Sequence, residues 1–298
     1  MQTYLSGRSA LTRTALTTLL ALTALTLGAC SSPSSGTGGD GEGSGASLSH
    51  VHGLGVRGDT LYVATHEGLR TPDADGRPTP VGERRDDLMG FTVTASGTFL
   101  ASGHPAPGST GPADLGLVAS TDAGLTWQEK SLAGKVDFHA LDTAPDSTVY
   151  GYDSANGLLR VSADGVEWED RAALRALDIA VSPTAAGTVL ATTEGGVARS
   201  TDGGRTFAPA IGPVLAHVSW GAPDALFGVD PSGVLFRGTD GGASWTRIGP
   251  VPGGAPQALT VVDARRLFVA TQDGVYESRD AGRGFERLMA VTAGKDGH

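Results

Sequence analysis

Beyond residue 47 the apolar positions fall in short runs, many of them alternating with polar ones, and turn residues separate the runs. Near the C-terminus, residues 258–262, 266–271, 274–278 and 285–291 read as four strands, a pattern that predicts one small antiparallel sheet. Helical periodicity is missing after Cys30, except that residues 171–176 suggest one helical turn. Between the third and fourth runs lies Ser278-Arg279-Asp280-Ala281-Gly282-Arg283-Gly284-Phe285. Such a string predicts a tight turn, with the carboxylate bonding backbone two residues on, glycine taking positive φ and the aromatic packing back.

The string recurs. Ser120-Thr121-Asp122-Ala123-Gly124-Leu125-Thr126-Trp127, Ser200-Thr201-Asp202-Gly203-Gly204-Arg205-Thr206-Phe207 and Gly238-Thr239-Asp240-Gly241-Gly242-Ala243-Ser244-Trp245 share its layout. Ser162-Ala163-Asp164-Gly165-Val166-Glu167-Trp168 is one residue shorter. Asp122, Asp164, Asp202, Asp240 and Asp280 are thus 42, 38, 38 and 40 residues apart, a period that signals stacked units of about four strands. The first unit opens with residues 52–56 and 61–65, and its turn at 71–76 keeps acid and glycine but no aromatic. The second runs from about Phe91 and carries a Pro- and Gly-rich insertion, residues 104–112, expected to be a loop. The remaining units begin near Phe138, Asp178, His217 and Gln257. Six units predict an all-β protein, a β-propeller of six four-stranded blades spanning residues 48–298. No strand is left over to exchange between first and last blades, which keeps five and seven blades open.

The Ser-x-Asp-x-Gly-x-x-aromatic unit resembles the Asp-box (BNR) repeat of sialidases, sortilin-type propellers and their relatives. The resemblance implies that the motif sits between third and fourth strands at each blade's outer edge. It also implies that Asp122, Asp164, Asp202, Asp240 and Asp280 are structural turn formers. A second set of residues resembles bacterial secreted propellers labelled glycosyl-hydrolase-like: His50-Val51-His52-Gly53-Leu54, Thr65-His66-Glu67-Gly68-Leu69, Met89-Gly90-Phe91, Ser102-Gly103-His104-Pro105 and Val136-Asp137-Phe138-His139. That label is borrowed from the repeat, and a fold does not supply a function. A sialidase would carry an Arg-Ile-Pro signature, three substrate-binding arginines and a Tyr/Glu nucleophile pair. Here Arg247-Ile248-Gly249-Pro250 is the nearest string, and Tyr62, Tyr150, Tyr152 and Tyr276 stand in no such context. Glycoside hydrolysis otherwise needs two facing carboxylates, for which Glu67, Asp153, Glu194, Asp230 and Asp273 share one blade position.

The first 29 residues change the picture of where the propeller works. Arg8 and Arg13 precede an uncharged run, residues 15–27, and Leu27-Gly28-Ala29-Cys30 resembles a bacterial lipobox. Residues 1–29 are therefore expected to be a lipoprotein signal peptide, with Cys30, the only cysteine, becoming the lipidated first residue. Residues 31–47 are Ser/Gly-rich and read as a flexible tether, so that 30–47 joins the anchor to the domain. The expected location is the extracytoplasmic face of the cell membrane, as a monomer held there by its acyl chains. The chain has 22 Lys+Arg against 32 Asp+Glu, and losing Arg8 and Arg13 makes it more acidic still. An acidic surface without a basic run excludes nucleic acid as a partner and leaves a small ligand, a glycan or an envelope protein.

Candidate chemistry lies in the histidines. When units are aligned by their second strands, His52 and His217 both lie nine residues before an anchor leucine, Leu61 and Leu226. His66 and His104 both lie five residues after the anchors Leu61 and Phe99, and His139 nearly matches His52. The innermost strand of a propeller blade starts, and the second ends, on one face of the disc. His50, His52, His66, His104, His139 and His217 should therefore gather at one mouth of the channel. His50, His52, His139 and His217 are the candidate metal ligands, with His52, His139 and His217 arriving from alternate blades. Convergent imidazoles suit Zn or Cu and leave a position open to water or an exogenous ligand. Asp137, Asp178 or Glu67 would orient a ring through its second nitrogen. His66, His104 and Glu67 are the candidates for ligand binding. Histidines lining a wet funnel, without metal, fit the same pattern. Trp127, Trp168 and Trp245 read as packing residues of the turns, and Trp220 as core.

Overall fold

A computed structural model describes residues 48–291. The proposed signal peptide, Cys30 and the tether lie outside the described residues, as does His298. Six sheets are present, each built from strands consecutive in sequence and paired antiparallel. Blade 1 holds β1 (Val51–Arg57), β2 (Thr60–Thr65), β3 (Gly68–Pro72) and β4 (Pro78–Pro80), and blade 2 holds β5 (Asp87–Val93), β6 (Phe99–His104), β7 (Leu117–Ser120) and β8 (Gln128–Ser131). Blade 3 consists of β9 (Phe138–Thr143), β10 (Val149–Asp153), β11 (Leu158–Ser162) and β12 (Glu169–Ala173). Blade 4 has only β13 (Ile179–Val181), β14 (Val189–Thr193) and β15 (Gly196–Ser200). Blade 5 is β16 (His217–Ala222), β17 (Ala225–Val229), β18 (Val234–Thr239) and β19 (Ser244–Pro250), and blade 6 is β20 (Pro256–Val261), β21 (Leu267–Thr271), β22 (Gly274–Ser278) and β23 (Glu286–Ala290). The chain is a six-bladed propeller. Five and seven blades are thereby excluded.

Two expectations need correction. Residues 171–176 form no helical turn, since Glu169–Ala173 is the outer strand β12. Among the described residues blade 4 has no regular fourth strand; an isolated bridge between Val197 and Ile211 stands in its place. Residues 205–214 contain Pro209 and Pro213, which cannot donate to a ladder, and Gly212 at positive φ.

The blades are held to one another in three ways. Apolar side chains interleave between sheets; where the ring closes, Leu48, Val51, Leu54, Leu61 and Val63 pack with Ala258, Phe268, Ala270, Val275, Met289 and Val291. A single parallel bridge, Leu48 to Val291, accompanies this closure. Second, the innermost strand is an edge whose amides need acceptors, and side chains of the adjacent blade provide them. Phe138 N donates to Ser102 Oγ at 2.8 Å, Val181 N to Asp142 Oδ2 at 2.7 Å and Val218 N to Asp178 Oδ2 at 3.0 Å. Val261 N donates to Ser219 Oγ at 3.1 Å, and Val51 N to Gln257 Oε1 at 3.2 Å. These bonds link blades 2–3, 3–4, 4–5, 5–6 and 6–1.

Third, the repeated turn clamps each blade to the one before it. In blade 4, Ser200 Oγ accepts from Gly204 N at 2.9 Å and donates to Asp202 Oδ1 at 2.7 Å, while Asp202 also accepts from Arg205 N and Thr206 N, both at 3.0 Å. The glycine so held has no side chain, and Leu159 of blade 3 fills the space. Gly124 meets Leu69, Gly165 meets Leu117 and Gly282 meets Leu235 in the same way. The hydrogen bonds hold Asp122, Asp202 and Asp280 well below the usual carboxylate range. Asp164 serves a shorter turn, accepting from Val166 N and Glu167 N. Asp240 departs from the scheme. Gly238 stands where the serine belongs, no hydroxyl can tie the turn, and a 3₁₀ turn, Asp240–Gly242, forms instead. The turn aromatics pack as expected, with Trp168 4.8 Å from Phe138 and its Nε1 donating to Ser131 Oγ of blade 2.

A histidine and aspartate cluster at one channel mouth

The innermost strands surround a central cavity of about 610 Å³, lined among others by His52, His139, Asp142, Asp178, His217 and Trp220. His52 enters from the start of β1 and His66 from the end of β2, so strand pairing within blade 1 places both rings at one mouth. Their ring centroids are 4.4 Å apart, and His50 lies 4.7 Å from His52 and 5.4 Å from His66. Asp87, the first residue of β5, reaches across from blade 2. His52 Nε2 and His66 Nδ1 are 3.2 Å apart, His66 Nδ1 is 2.9 Å from Asp87 Oδ2, and His52 Nε2 is 3.5 Å from Asp87 Oδ1. Among the described residues this is the one group whose three ligand atoms all lie within 4.8 Å of one another. It also takes the place of the missing link between blades 1 and 2 in the ring of inter-blade bonds.

A proton count shows that hydrogen bonding alone serves this group poorly. One proton on His66 Nδ1 can go to Asp87 Oδ2, which leaves His52 Nε2 only a 3.5 Å approach to Asp87 Oδ1, too long for a good hydrogen bond. Asp87 Oδ1 is buried and receives no hydrogen bond. A cation at the centre would satisfy both nitrogens and the carboxylate together. His52 is only 11% exposed in its side chain, and burial, followed by the neighbouring His66, His50 and His139, lowers its pKa to about 3. It is therefore neutral and ready to ligate over the physiological range.

The other candidates form separate pairs. His139 Nε2 lies 2.8 Å from Asp137 Oδ2, and this bond raises the His139 pKa. His104 Nε2 is 3.3 Å from the same oxygen, while its Nδ1 faces Ala113 O at 3.2 Å and Asp114 Oδ1 at 3.4 Å. His217 Nδ1 is 3.7 Å from Asp178 Oδ2. His52, His139 and His217 thus do not share one set of ligand atoms. Asp137 and Asp178 lie beside rings as expected. Glu67 instead turns outward to Arg70 at 3.0 Å. Three of the turn acids considered for glycoside hydrolysis are engaged locally: Asp153 by Arg160 and Asn156, Asp230 by Ser232 and Asp273 by Tyr276. Trp220 packs partly buried between blades 4 and 5 and also lines the cavity.

Asp87 is the residue that sequence reasoning missed, because the second unit was begun at Phe91. A signal existed. Asp87 precedes Val93 by six residues, as Asp137 precedes Thr143, and Val93 and Thr143 pair with the first residues of β6 and β10.

The shift at His52 makes an acid-stability prediction. The unfolded chain protonates this ring near 6.5 and the folded chain only near 3, so stability is lost as pH falls through that window. Asp142 acts oppositely. Burial in the channel wall raises it to about 7, so the folded chain keeps a proton that the unfolded chain has released above 3.8, and stability falls as pH rises towards 7. In chelator-treated protein, His52→Gln is expected to remove about 2 kcal/mol of the stability change between pH 7 and pH 5. Denaturant titrations at both pH values measure this; equal changes in variant and wild type would refute it.

No family model matches this chain, and neither does any curated protein. Solved structures match it in fold. XC5397, a gluconolactonase from Xanthomonas campestris, superposes with a TM-score of 0.60 at 15% identity, covering 76% of this chain and 84% of its own. Virginiamycin B lyase from Staphylococcus aureus gives 0.55 at 14% identity, with 84% and 88% covered. Ycf48 bound to a D1 peptide gives 0.51 at 14% identity, with 81% and 82% covered. The likeness is one of fold. At these identities it carries no activity across.

Proposed function

We propose that this chain is a lipid-anchored, extracytoplasmic propeller that binds one transition-metal ion, Zn²⁺ or Cu²⁺, through His52, His66 and Asp87. The observation that carries the reading is the spacing of the three ligand atoms. Tetrahedral ligands at 2.0–2.1 Å from zinc stand about 3.3 Å from one another; the two ring nitrogens here are 3.2 Å apart, and the Asp87 carboxylate lies against both, with Oδ2 2.9 Å from His66 Nδ1 and Oδ1 3.5 Å from His52 Nε2. Two neutral imidazoles and a carboxylate suit Zn²⁺ and Cu²⁺. The unpartnered Asp87 Oδ1 gives the set a further reason to take a cation. Three protein ligands leave a fourth position for water or an exogenous ligand. The lipobox-like Leu27-Gly28-Ala29-Cys30 and the tether after it support the anchored location, which metabolic labelling with a fatty acid, lost in Cys30→Ala, would test.

The metal itself is tested by elemental mass spectrometry. Mature protein purified in detergent, loaded separately with Zn²⁺ and Cu²⁺ and desalted, is expected to retain close to one ion per chain. Metal at background with both ions would overturn the reading and leave the histidines as a solvated lining.

A further inference from the structure

The metal reading uses His52, His66 and Asp87 and leaves a well-made neighbour idle. Asp137 is only 9% exposed in its side chain, yet it sits against two imidazoles, so its service is to orient them. The rings are not equivalent. His104 is held at both nitrogens, by Asp137 on one side and by Ala113 and Asp114 on the other. His139 is held only at Nε2, and Nδ1 makes no bond to the described protein while the ring lines the cavity.

Blade geometry puts this ring at the level of the metal group. His52 lies four residues before Val56, which pairs with Leu61, and His139 lies four before Thr143, which pairs with Val149. The two rings therefore leave blades 1 and 3 at the same level of the channel. Between them, Asp87 and His104 are register partners on β5 and β6, so that one cross-strand pair touches both groups. Partners at that register are about 4.5–5.5 Å apart at Cα.

We propose that the metal-loaded mouth binds a small oxygen monoanion, a carboxylate in the simplest case, with one oxygen on the metal and another on the Nδ1–H of His139. This rests on the metal reading above. Charge favours the assignment. Asp87 offsets one of the two charges of the ion, so the metal group itself keeps a positive charge, while Asp137 offsets a protonated His139. The bond from Asp137 also favours the protonated ring, which then has a proton on Nδ1 to give. A charge-assisted hydrogen bond of this kind fixes the orientation of a metal-bound anion as well as its affinity. Neutral acceptors gain less from His139, and cationic compounds gain nothing.

Cobalt(II) in place of zinc makes the test direct. Mature protein loaded with Co²⁺ is titrated with sodium acetate, at ionic strength held constant by sodium perchlorate, while the visible d–d bands are followed. Acetate is expected to move the bands saturably, and His139→Ala to weaken acetate about tenfold while leaving Co²⁺ affinity unchanged. Bands that acetate does not move, or moves equally well in His139→Ala, overturn the proposal. Absence of any cobalt bands overturns the metal reading with it, and the two failures are told apart by whether bands form.

Discussion

Replacing Gly204 by alanine is expected to lower the thermal unfolding midpoint by about 5–15 °C. Two costs add at this position. Gly204 has φ of +81°, where an L-residue loses about 1–2 kcal/mol. The added methyl would also run into Leu159 of blade 3, a fully buried side chain that cannot withdraw, and overpacking of this kind costs about 1–3 kcal/mol. Domains of this size lose about 2–4 °C per kcal/mol. The backbone amide of Gly204 is at the same time held by Ser200 Oγ at 2.9 Å, which prevents the turn from backing away. Gly58 separates the two costs, since its φ is +62° and nothing lies within 4 Å of where a methyl would stand. Gly58→Ala should cost the backbone term alone. Equal midpoint shifts for Gly58→Ala and Gly204→Ala would show that the repeated turn does not clamp neighbouring blades.

This role of the glycine explains why the fold could be read from the chain and the site only in part. Each blade is local: four strands in sequence order, then a turn whose serine, aspartate and glycine have separate tasks. Asp122, Asp202 and Asp280 therefore announce blade number and strand order together. Where a residue departs from the pattern, the structure departs as well. Gly238 in place of serine turns the Asp240 motif into a 3₁₀ turn, and Pro209 and Pro213 fall where blade 4 would have its outer strand. The mouth was legible because pairing puts the start of β1 and the end of β2 on one face, which brings His52 and His66 together. Partner choice was legible only in part. Asp137, two residues before His139 on the same blade, and Asp178 lie beside rings as expected, whereas His52 meets Asp87 of the next blade, a pairing set by inter-blade packing that no single repeat encodes.

That difference leads to the second large effect. Zinc is expected to raise the unfolding free energy of the wild-type protein by about 2.7 kcal/mol at a free concentration one hundred times its dissociation constant, because only the folded chain assembles the site. His66→Ala removes one of three ligands and should abolish this gain at the same zinc concentration, with retained metal falling to background. Asp87→Ala should do the same. An ion held instead by His52, His139 and His217 from alternate blades would depend on His139 and not on His66. The two arrangements therefore predict opposite results for one pair of variants: with the ligand set proposed here, His139→Ala keeps the zinc-dependent stabilisation and His66→Ala loses it. Because His66 is about 40% exposed in its side chain and Asp87 about 25%, neither truncation opens a cavity in the core, and the zinc-dependent gain of each variant is read against its own apo midpoint. Calorimetry with and without zinc on the wild type and these variants decides between the two sets. Loss of the zinc effect in His139→Ala together with its survival in His66→Ala would return the ion to the channel axis.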